Sequence, residues 1–327
     1  MIKQTPSSSI QVGQSVSEWL QAMQSNGYAL SLDELLRYRH HRTLGTSRKY
    51  KVPARGRGGN QLSKSKGRGM EFDEVRHYQT GDDIRAIDWR VTARTGHTHT
   101  KLYREEKERP VFFFIDLSPS MHFGSRLLFK SVQAAHVAAG LAWQAAYRGD
   151  RIAGLVFNQE QHFEVKPMGR DKGVLRLIHQ IVQAHGQQPQ TPSRSGSAEV
   201  FNANLQRLRH LVKTGAQVYL ISDFHHITER SLRDLRALSQ HNAVRAILIQ
   251  DPLEQRLPEV GATKVQAVDD DFVRDFWLGD KRTNALYAKQ ANDWLEQRNA
   301  LLQQARINSC TLDASLPLAL QWEVLGR

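Results

Sequence analysis

The residues whose chemistry stands out follow an apolar run of five residues, Val111 to Ile115. Asp116 comes directly after this run, and Ser118 and Ser120 follow at alternate positions. In an extended turn alternate side chains point the same way, so one carboxylate and two hydroxyls are expected to face one point. A set made only of oxygen donors suits a hard cation, Mg²⁺ above all.

A second apolar run, VYLIS, also ends on a carboxylate, that of Asp223. If the two runs form neighbouring parallel strands, both carboxylates lie at the carboxyl edge of the sheet, where α/β proteins bind their ligands. The sequence therefore predicts a Mg²⁺ site formed by Asp116, Ser118, Ser120 and Asp223. Because the hydroxyls are neutral, the ion would keep positive charge and attract a carboxylate from a partner. The alternative is a turn without metal, in which Ser120 caps the helix that follows.

The elements that must position these residues follow from the pattern of residues 109–327. Continuous apolar runs such as VFFFI and RIAGLVF alternate with longer segments of helical periodicity. Continuous apolar strands are typical of a parallel sheet that helices cover on both faces. We therefore predict an α/β fold of the Rossmann type, doubly wound around a mostly parallel sheet. VFFFI and VYLIS are expected to be its adjacent central strands, with helices at the C-terminus.

The part of the chain before residue 109 is predicted to be an extension of this domain. Residues 1–30 are expected to be flexible or weakly helical. Residues 31–108 begin with a short helix, for which Ser31 and Glu34 form a capping box, and continue into a basic loop. A segment dense in both charge signs, residues 69–105, closes the extension. We expect this segment to dock on the core through Arg–carboxylate pairs, which suit the planar guanidinium, rather than to form an active site.

The basic loop suggests an alternative function. The chain has a formal net charge of +12, and the tract Arg37–Arg68 holds eleven Lys or Arg residues and no Asp or Glu. Such a tract can bind nucleic acid, although its few aromatic residues offer little for base stacking. The simpler interpretation is a solvated segment. Nucleic acid is therefore an alternative partner and not the first one.

Several enzyme and membrane classes lack their sequence signals. The chain has no P-loop pattern and no GxSxG elbow. No general base or nucleophile is paired with the predicted metal site, so a metal-dependent hydrolase is only a further alternative. Cys310 is the single cysteine, which excludes an intrachain disulfide. Apolar runs are far shorter than the ~20 residues that span a bilayer. We expect a non-enzymatic protein without a membrane span, located in the cytoplasm.

Two motifs resemble those of known families. DLSPS, with its Asp-x-Ser-x-Ser spacing, resembles the metal-ion-dependent adhesion site of von Willebrand factor type A domains. The upstream stretch GRGMEFDEVRHYQTGDDIRAIDWRVTARTG is similar to the signature of the domain-of-unknown-function family 58, in which it precedes a type A-like domain. ISDF and QDPLE also look like landmarks of that family. The resemblance covers about residues 60 to 325.

This resemblance implies a type A-like fold and a partnership. Members of the family are similar to partners of MoxR-type AAA+ ATPases, and the pairs are thought to mature or activate other protein complexes as chaperones. One loop departs from the family's pattern: where Gly-Thr-Asp is usual, this chain has Gly196, Ser197 and Ala198. Ser197 can replace the Thr hydroxyl as a fifth ligand, but Ala198 cannot replace the carboxylate. The resemblance thus implies a metal-dependent interaction module, with a client protein complex as the further partner and a weakened Mg²⁺ site.

Overall fold

The structure is a computed structural model that describes residues 15–40, 70–105, 109–187, 196–258, 260–261, 263–269 and 272–326. The described residues fall into two compact units, one built from 15–40 and 109–326 and the other from 70–105. Beyond His40, the basic tract Arg37–Arg68 lies outside the described residues, as do residues 1–14 of the predicted flexible N-terminus.

The described residues form ten strands and ten α-helices. In chain order the strands are β1 (Met70–His77), β2 (His99–Glu105), β3 (Pro110–Asp116), β4 (Arg151–Phe157), β5 (His162–Gly169), β6 (Gln217–Ser222), β7 (Ala243–Gln250), β8 (Thr263–Asp269), β9 (Phe272–Leu278) and β10 (Asn308–Asp313). The helices are α1 (Val16–Met23), α2 (Leu32–Leu36), α3 (Trp89–Thr95), α4 (Lys130–Tyr147), α5 (Arg170–Gly186), α6 (Ser197–Leu211), α7 (Glu229–His241), α8 (Pro252–Gln255), α9 (Lys281–Gln304) and α10 (Leu318–Gly326).

A six-stranded sheet organises the larger unit. Its strand order is β10-β7-β6-β3-β4-β5, and all neighbours are parallel except β4 and β5. The predicted α/β class with a mostly parallel sheet is confirmed. The predicted adjacency of the VFFFI and VYLIS strands is also confirmed, because β3 pairs with β6 and Ile115 lies opposite Ile221. The chain runs from β3 to β4 on one side and places β6 on the other, so the strand order reverses beside β3.

The central strand β3 is buried on both faces. Phe113 and Ile115 pack into a cluster that includes side chains of α4, α5 and α10. Phe112 and Phe114 point the other way and pack with side chains of α6, α7 and α9. Each such side chain contributes about 1.5–3 kcal/mol by leaving water. Burial on both faces explains why the strand reads as an unbroken apolar run.

Residues 15–40 complete the same core. Ser31 and Glu34 form the predicted capping box at the start of α2. Leu35, from α2, is fully buried in the cluster around α4. The 3-10 turn Arg37–His40 follows, and Tyr38 shares a hydrogen bond of 2.8 Å with Nδ1 of His136 on α4. This extension is therefore packed against α4 and is part of the sheet's helical cover.

The smaller unit is an antiparallel hairpin of β1 and β2 with the short helix α3 between its strands. These strands were not predicted from the sequence. The register shifts between Phe72 and Glu74, and this bulge interrupts the alternation that would have marked β1 as a strand. The expected ion pairing is present inside the unit, where Arg76 contacts Asp82 at 2.8 Å. Docking of this segment on the core stays a prediction.

Across the described ranges, the helices are all too short or too polar to cross a membrane.

Candidate functional site

Asp116 is the last residue of β3 and lies at the switch point of the sheet. Its side chain is fully buried. One carboxylate oxygen, Oδ1, accepts the backbone N–H of Ser118 at 2.9 Å, and Oδ2 accepts the hydroxyl of Ser222 at 2.7 Å. Burial, helped by the charge of Asp223, raises the pKa of Asp116 to about 6. Among the described residues, Asp116 has no salt bridge, so its ionised form lacks a cation.

Ser118 and Ser120 face one point, as predicted. Their hydroxyl oxygens lie 3.3 Å apart across a 3-10 turn, Pro119–Met121. In an octahedron with metal–oxygen bonds of about 2.1 Å, neighbouring ligands are about 3 Å apart, so two adjacent positions fit this pair. Ser118 is buried, whereas Ser120 is half-buried and opens the site toward solvent.

The capping alternative for Ser120 is wrong. Helix α4 begins only at Lys130, and the residue before it, Phe129, makes no side-chain cap. The segment between the motif and the helix is held instead by Asp251, the residue after β7, whose carboxylate accepts the backbone N–H of Ser125 at 2.8 Å. The Ser120 hydroxyl is thus left for a role other than helix capping.

Asp223 is held by a buried lysine. The ammonium of Lys130, 1% exposed, lies 2.7 Å from Oδ2 of Asp223, and Oδ1 accepts the backbone N–H of His225 at 2.9 Å. Burial alone would raise the pKa of Asp223, but Lys130 outweighs it and holds that pKa well below its usual range. In the same way, burial would lower the pKa of Lys130, yet the carboxylates of Asp223 and Glu254 raise it.

Glu254 is the second acidic partner of Lys130. Its Oε1 lies 2.5 Å from the ammonium, and its Oε2 accepts the backbone N–H of Asp251 at 3.0 Å. The second contact is half of the capping box that starts α8, with Asp251 as the N-cap. The capping box of α8 therefore holds the Glu254 side chain in contact with Lys130.

Two further contacts fix the loop that follows β6. Arg298, from α9, is 2% exposed and donates from Nη1 to the carbonyl oxygen of Asp223 at 3.0 Å. Phe224 has a left-handed backbone with φ of 55°, which is strained for a bulky residue. Its N–H donates to the hydroxyl of Ser222 at 2.8 Å. Ser222 therefore links the Asp116 carboxylate to this strained turn.

The fifth predicted ligand, Ser197, is engaged elsewhere. It is the first residue of α6, is buried, and donates from its hydroxyl to Oε1 of Gln159 at 2.9 Å. The backbone before it turns at Gly196, where φ is 75° and glycine is favoured. The structure thus joins Asp116, Ser118 and Ser120 and gives Ser197 a different partner.

Two histidines, buried His185 and half-buried His122, lie beside the motif. The rings of His122 and His185 are 4.9 Å apart, and Nδ1 of His122 contacts the carbonyl oxygen of Ser118 at 3.2 Å. Nε2 of His185 shares a hydrogen bond of 3.1 Å with the hydroxyl of Ser131. Burial, with a smaller effect of His122, lowers the pKa of His185 to about 4. At neutral pH His185 is therefore an uncharged part of the packing.

The oxygen donors fit a divalent cation only in part. Asp116, Ser118 and Ser120 offer two hydroxyls at a suitable spacing and a carboxylate that forms no salt bridge with any described residue. Asp223 is committed to Lys130. Among the described residues, His, Cys, Asp and Glu side chains do not assemble three at a time into a metal-binding group. A bound Mg²⁺ would rest on the three motif residues and waters, which Mg²⁺ usually retains.

Sequence reasoning missed four residues of this site: Ser222, Lys130, Glu254 and Arg298. Lys130 had a visible signal, because it is the only Lys, Arg, Asp or Glu between Leu127 and Tyr147. A single charge in an apolar helix requires a partner. Ser222 and Glu254 lie in the ISDF and QDPLE motifs, but their contacts depend on strand register and on packing between distant segments. Arg298 had no signal.

The fold and the oxygen-lined switch point define an α/β protein with a candidate ligand site at the carboxyl edge of its sheet. A model of the family described as "Protein of unknown function DUF58" matches residues 74–297. Uncharacterized proteins of Mycobacterium bovis and Mycobacterium tuberculosis are 31% identical over 219 residues, 67% of this chain and 67% of each relative. The chain belongs to this family, and that part of the sequence prediction is confirmed.

Two solved structures are similar to this chain. The conserved hypothetical protein BatB from Bacteroides thetaiotaomicron is 12% identical, with a TM-score of 0.42, over 67% of this chain and 95% of that one. An aerotolerance-related membrane protein from Bacteroides fragilis is 14% identical, with a TM-score of 0.37, over 61% of this chain and 98% of that one.

Proposed function

We propose that this protein is a non-enzymatic interaction module of the von Willebrand factor type A kind. Its partner is a MoxR-type AAA+ ATPase, and the pair matures or activates a client protein complex in the cytoplasm. The observation that carries the proposal is the buried Asp116 carboxylate, which has no salt bridge within the described part of the chain and lies beside two aligned hydroxyls. The resemblance of the DLSPS motif to an adhesion site supplies the kind of function.

Each residue of the site has a part in recognition. Asp116, Ser118 and Ser120 would hold Mg²⁺ with the oxygen ligands that this ion prefers. When bound, the ion would offer an open coordination position to an acidic side chain of the partner. Ser222 orients the Asp116 carboxylate through its hydroxyl. Ser120, which is half-buried, marks the side from which a partner side chain enters.

The contacts of the serines support binding rather than catalysis. A nucleophilic hydroxyl needs a base within hydrogen-bond reach. The hydroxyls of Ser118 and Ser120 contact each other, and His122 contacts the backbone carbonyl of Ser118 instead of a hydroxyl. The one base beside them, the Asp116 carboxylate, is the group that would hold the cation. The described residues around the motif therefore form a place to hold a ligand, in keeping with a module that has no reaction of its own.

The test is calorimetry with the MoxR-type ATPase of the same organism, in Mg²⁺ and in EDTA. We expect binding in Mg²⁺, and loss of binding in EDTA and in Asp116→Asn. The matched control is Asp171→Asn. Asp171 is half-buried near the start of α5, just after Gly169, which pairs with Arg151 at the amino edge of the sheet. Equal affinity in both buffers would refute the metal bridge, and no binding in either would refute the partner.

A further inference from the structure

We propose that Lys130 sets the Mg²⁺ affinity of the site, because its ammonium is a built-in cation that keeps Asp223 out of the metal's ligand set. This inference rests on the proposed metal site and adds its regulation. With Lys130 in place, the site has one carboxylate ligand and a positive charge nearby, instead of the two carboxylate ligands expected from the sequence.

The geometry leaves Asp223 little freedom. The Lys130 side chain is 1% exposed and its Asp223 partner 2% exposed, so water does not screen their contact of 2.7 Å. Glu254, half-buried on the solvent side, completes the pair at 2.5 Å. To ligate a metal with Oδ2, Asp223 would have to leave a buried ammonium without its nearest counter-ion.

The position of Lys130 in its helix makes its charge dependent on this contact. Lys130 is the first residue of α4. The N-terminus of a helix carries partial positive charge, which disfavours a cation there by about 0.3–1 kcal/mol. A lysine at this place is stable only because two carboxylates face it. An apolar residue would fill the space without that conflict.

Counting charges gives the direction of the effect. The site holds three carboxylates, of Asp116, Asp223 and Glu254, and two cations, of Lys130 and Arg298. With every group ionised the set carries three negative charges and two positive ones, so its net charge is −1. Removing the lysine charge changes the net charge to −2 and frees Asp223. Both changes favour a divalent cation.

The experiment is a Mg²⁺ titration of the whole protein by calorimetry. Lys130→Met should bind Mg²⁺ about tenfold more tightly than the wild type. It removes a positive charge and frees the Asp223 carboxylate, and one unit charge is still worth more than a factor of ten at about 10 Å and an effective dielectric constant of about 20. The double variant Lys130→Met, Asp223→Asn restores the net charge of −1 and should return to about the wild-type affinity. The control Lys213→Met removes an exposed charge after α6 and should change nothing.

The inference is overturned if folded Lys130→Met binds Mg²⁺ no more tightly than the wild type. If that variant does not fold, Glu254→Gln decides, because it changes the net charge of the site to zero and leaves the Lys130–Asp223 pair in place. It should weaken Mg²⁺ binding by about tenfold, and unchanged affinity would overturn the inference. These titrations need no partner. Binding of the ATPase can therefore fail while the role of Lys130 holds, and the reverse.

Discussion

The Ser222 hydroxyl is the contact on which the conformation of the site depends, and replacing it tests the whole arrangement. Ser222→Ala removes the donor to Asp116 at 2.7 Å and the acceptor of the Phe224 N–H at 2.8 Å. A hydrogen bond to a charged group contributes about 1.5–3 kcal/mol, and a buried N–H left without a partner costs about 1–3 kcal/mol. We expect the free energy of unfolding to fall by about 4 kcal/mol.

The assay is urea denaturation at neutral pH, followed by far-UV circular dichroism. Ser17→Ala is the matched control, because Ser17 is exposed on α1, and its change should stay within about 0.5 kcal/mol. The variant should also raise the pKa of Asp116 further, since the Ser222 hydroxyl lowers it. A loss of stability below about 1 kcal/mol would show that Ser222 does not hold the carboxylate, and the reasoning would be wrong.

Three other predictions concern the cover of the sheet. The pKa of His185 in the folded protein, about 4, lies below its ordinary 6.5, so the folded protein loses stability as the pH falls between these values. Between about pH 7.5 and pH 5, the free energy of unfolding of His185→Gln, followed by thermal melts, should therefore fall by about 2 kcal/mol less than that of the wild type. Gly140→Ala should lower stability by about 1 kcal/mol, because the new Cβ would lie 2.8 Å from the ring of Trp322; an unchanged melting temperature would contradict this. Tyr38→Phe should cost about 1 kcal/mol in urea denaturation through the lost hydrogen bond to His136, and a neutral result would mean that this bond is not made in solution.

The sheet was predictable because the apolar composition of its strands reflects their burial. β3 is buried on both faces, and a strand with two buried faces reads as an apolar run. The place of Asp116 follows from the same reasoning, since the carboxyl ends of parallel strands meet at one edge. Local rules were sufficient for the fold. Local rules did not predict the hairpin of the smaller unit, because a bulge shifts its register.

The ion pairs of the site were harder to predict from the sequence than the fold. Asp223 stays a predicted ligand because of its position after β6, but the sequence did not show its salt bridge to Lys130 or the hydrogen bond from Ser222 to Asp116. Lys130 and Glu254 are 124 positions apart in the chain, and their contact needs the finished packing of α4 against the end of β7. A sequence shows which side chains can bind a cation. It does not show which of them already has one.

The packing of Leu35 and Trp322 around α4 limits how far the protein can be truncated at either end. The family model matches residues 74–297, which is a natural choice for a shortened expression clone. Such a clone would end inside α9, lack the edge strand β10, and remove both of these buried side chains from the core. The apolar sides of α4 would then face water, and aggregation is the expected fate. The residues needed for a closed core therefore extend on both sides of the range that the family model matches.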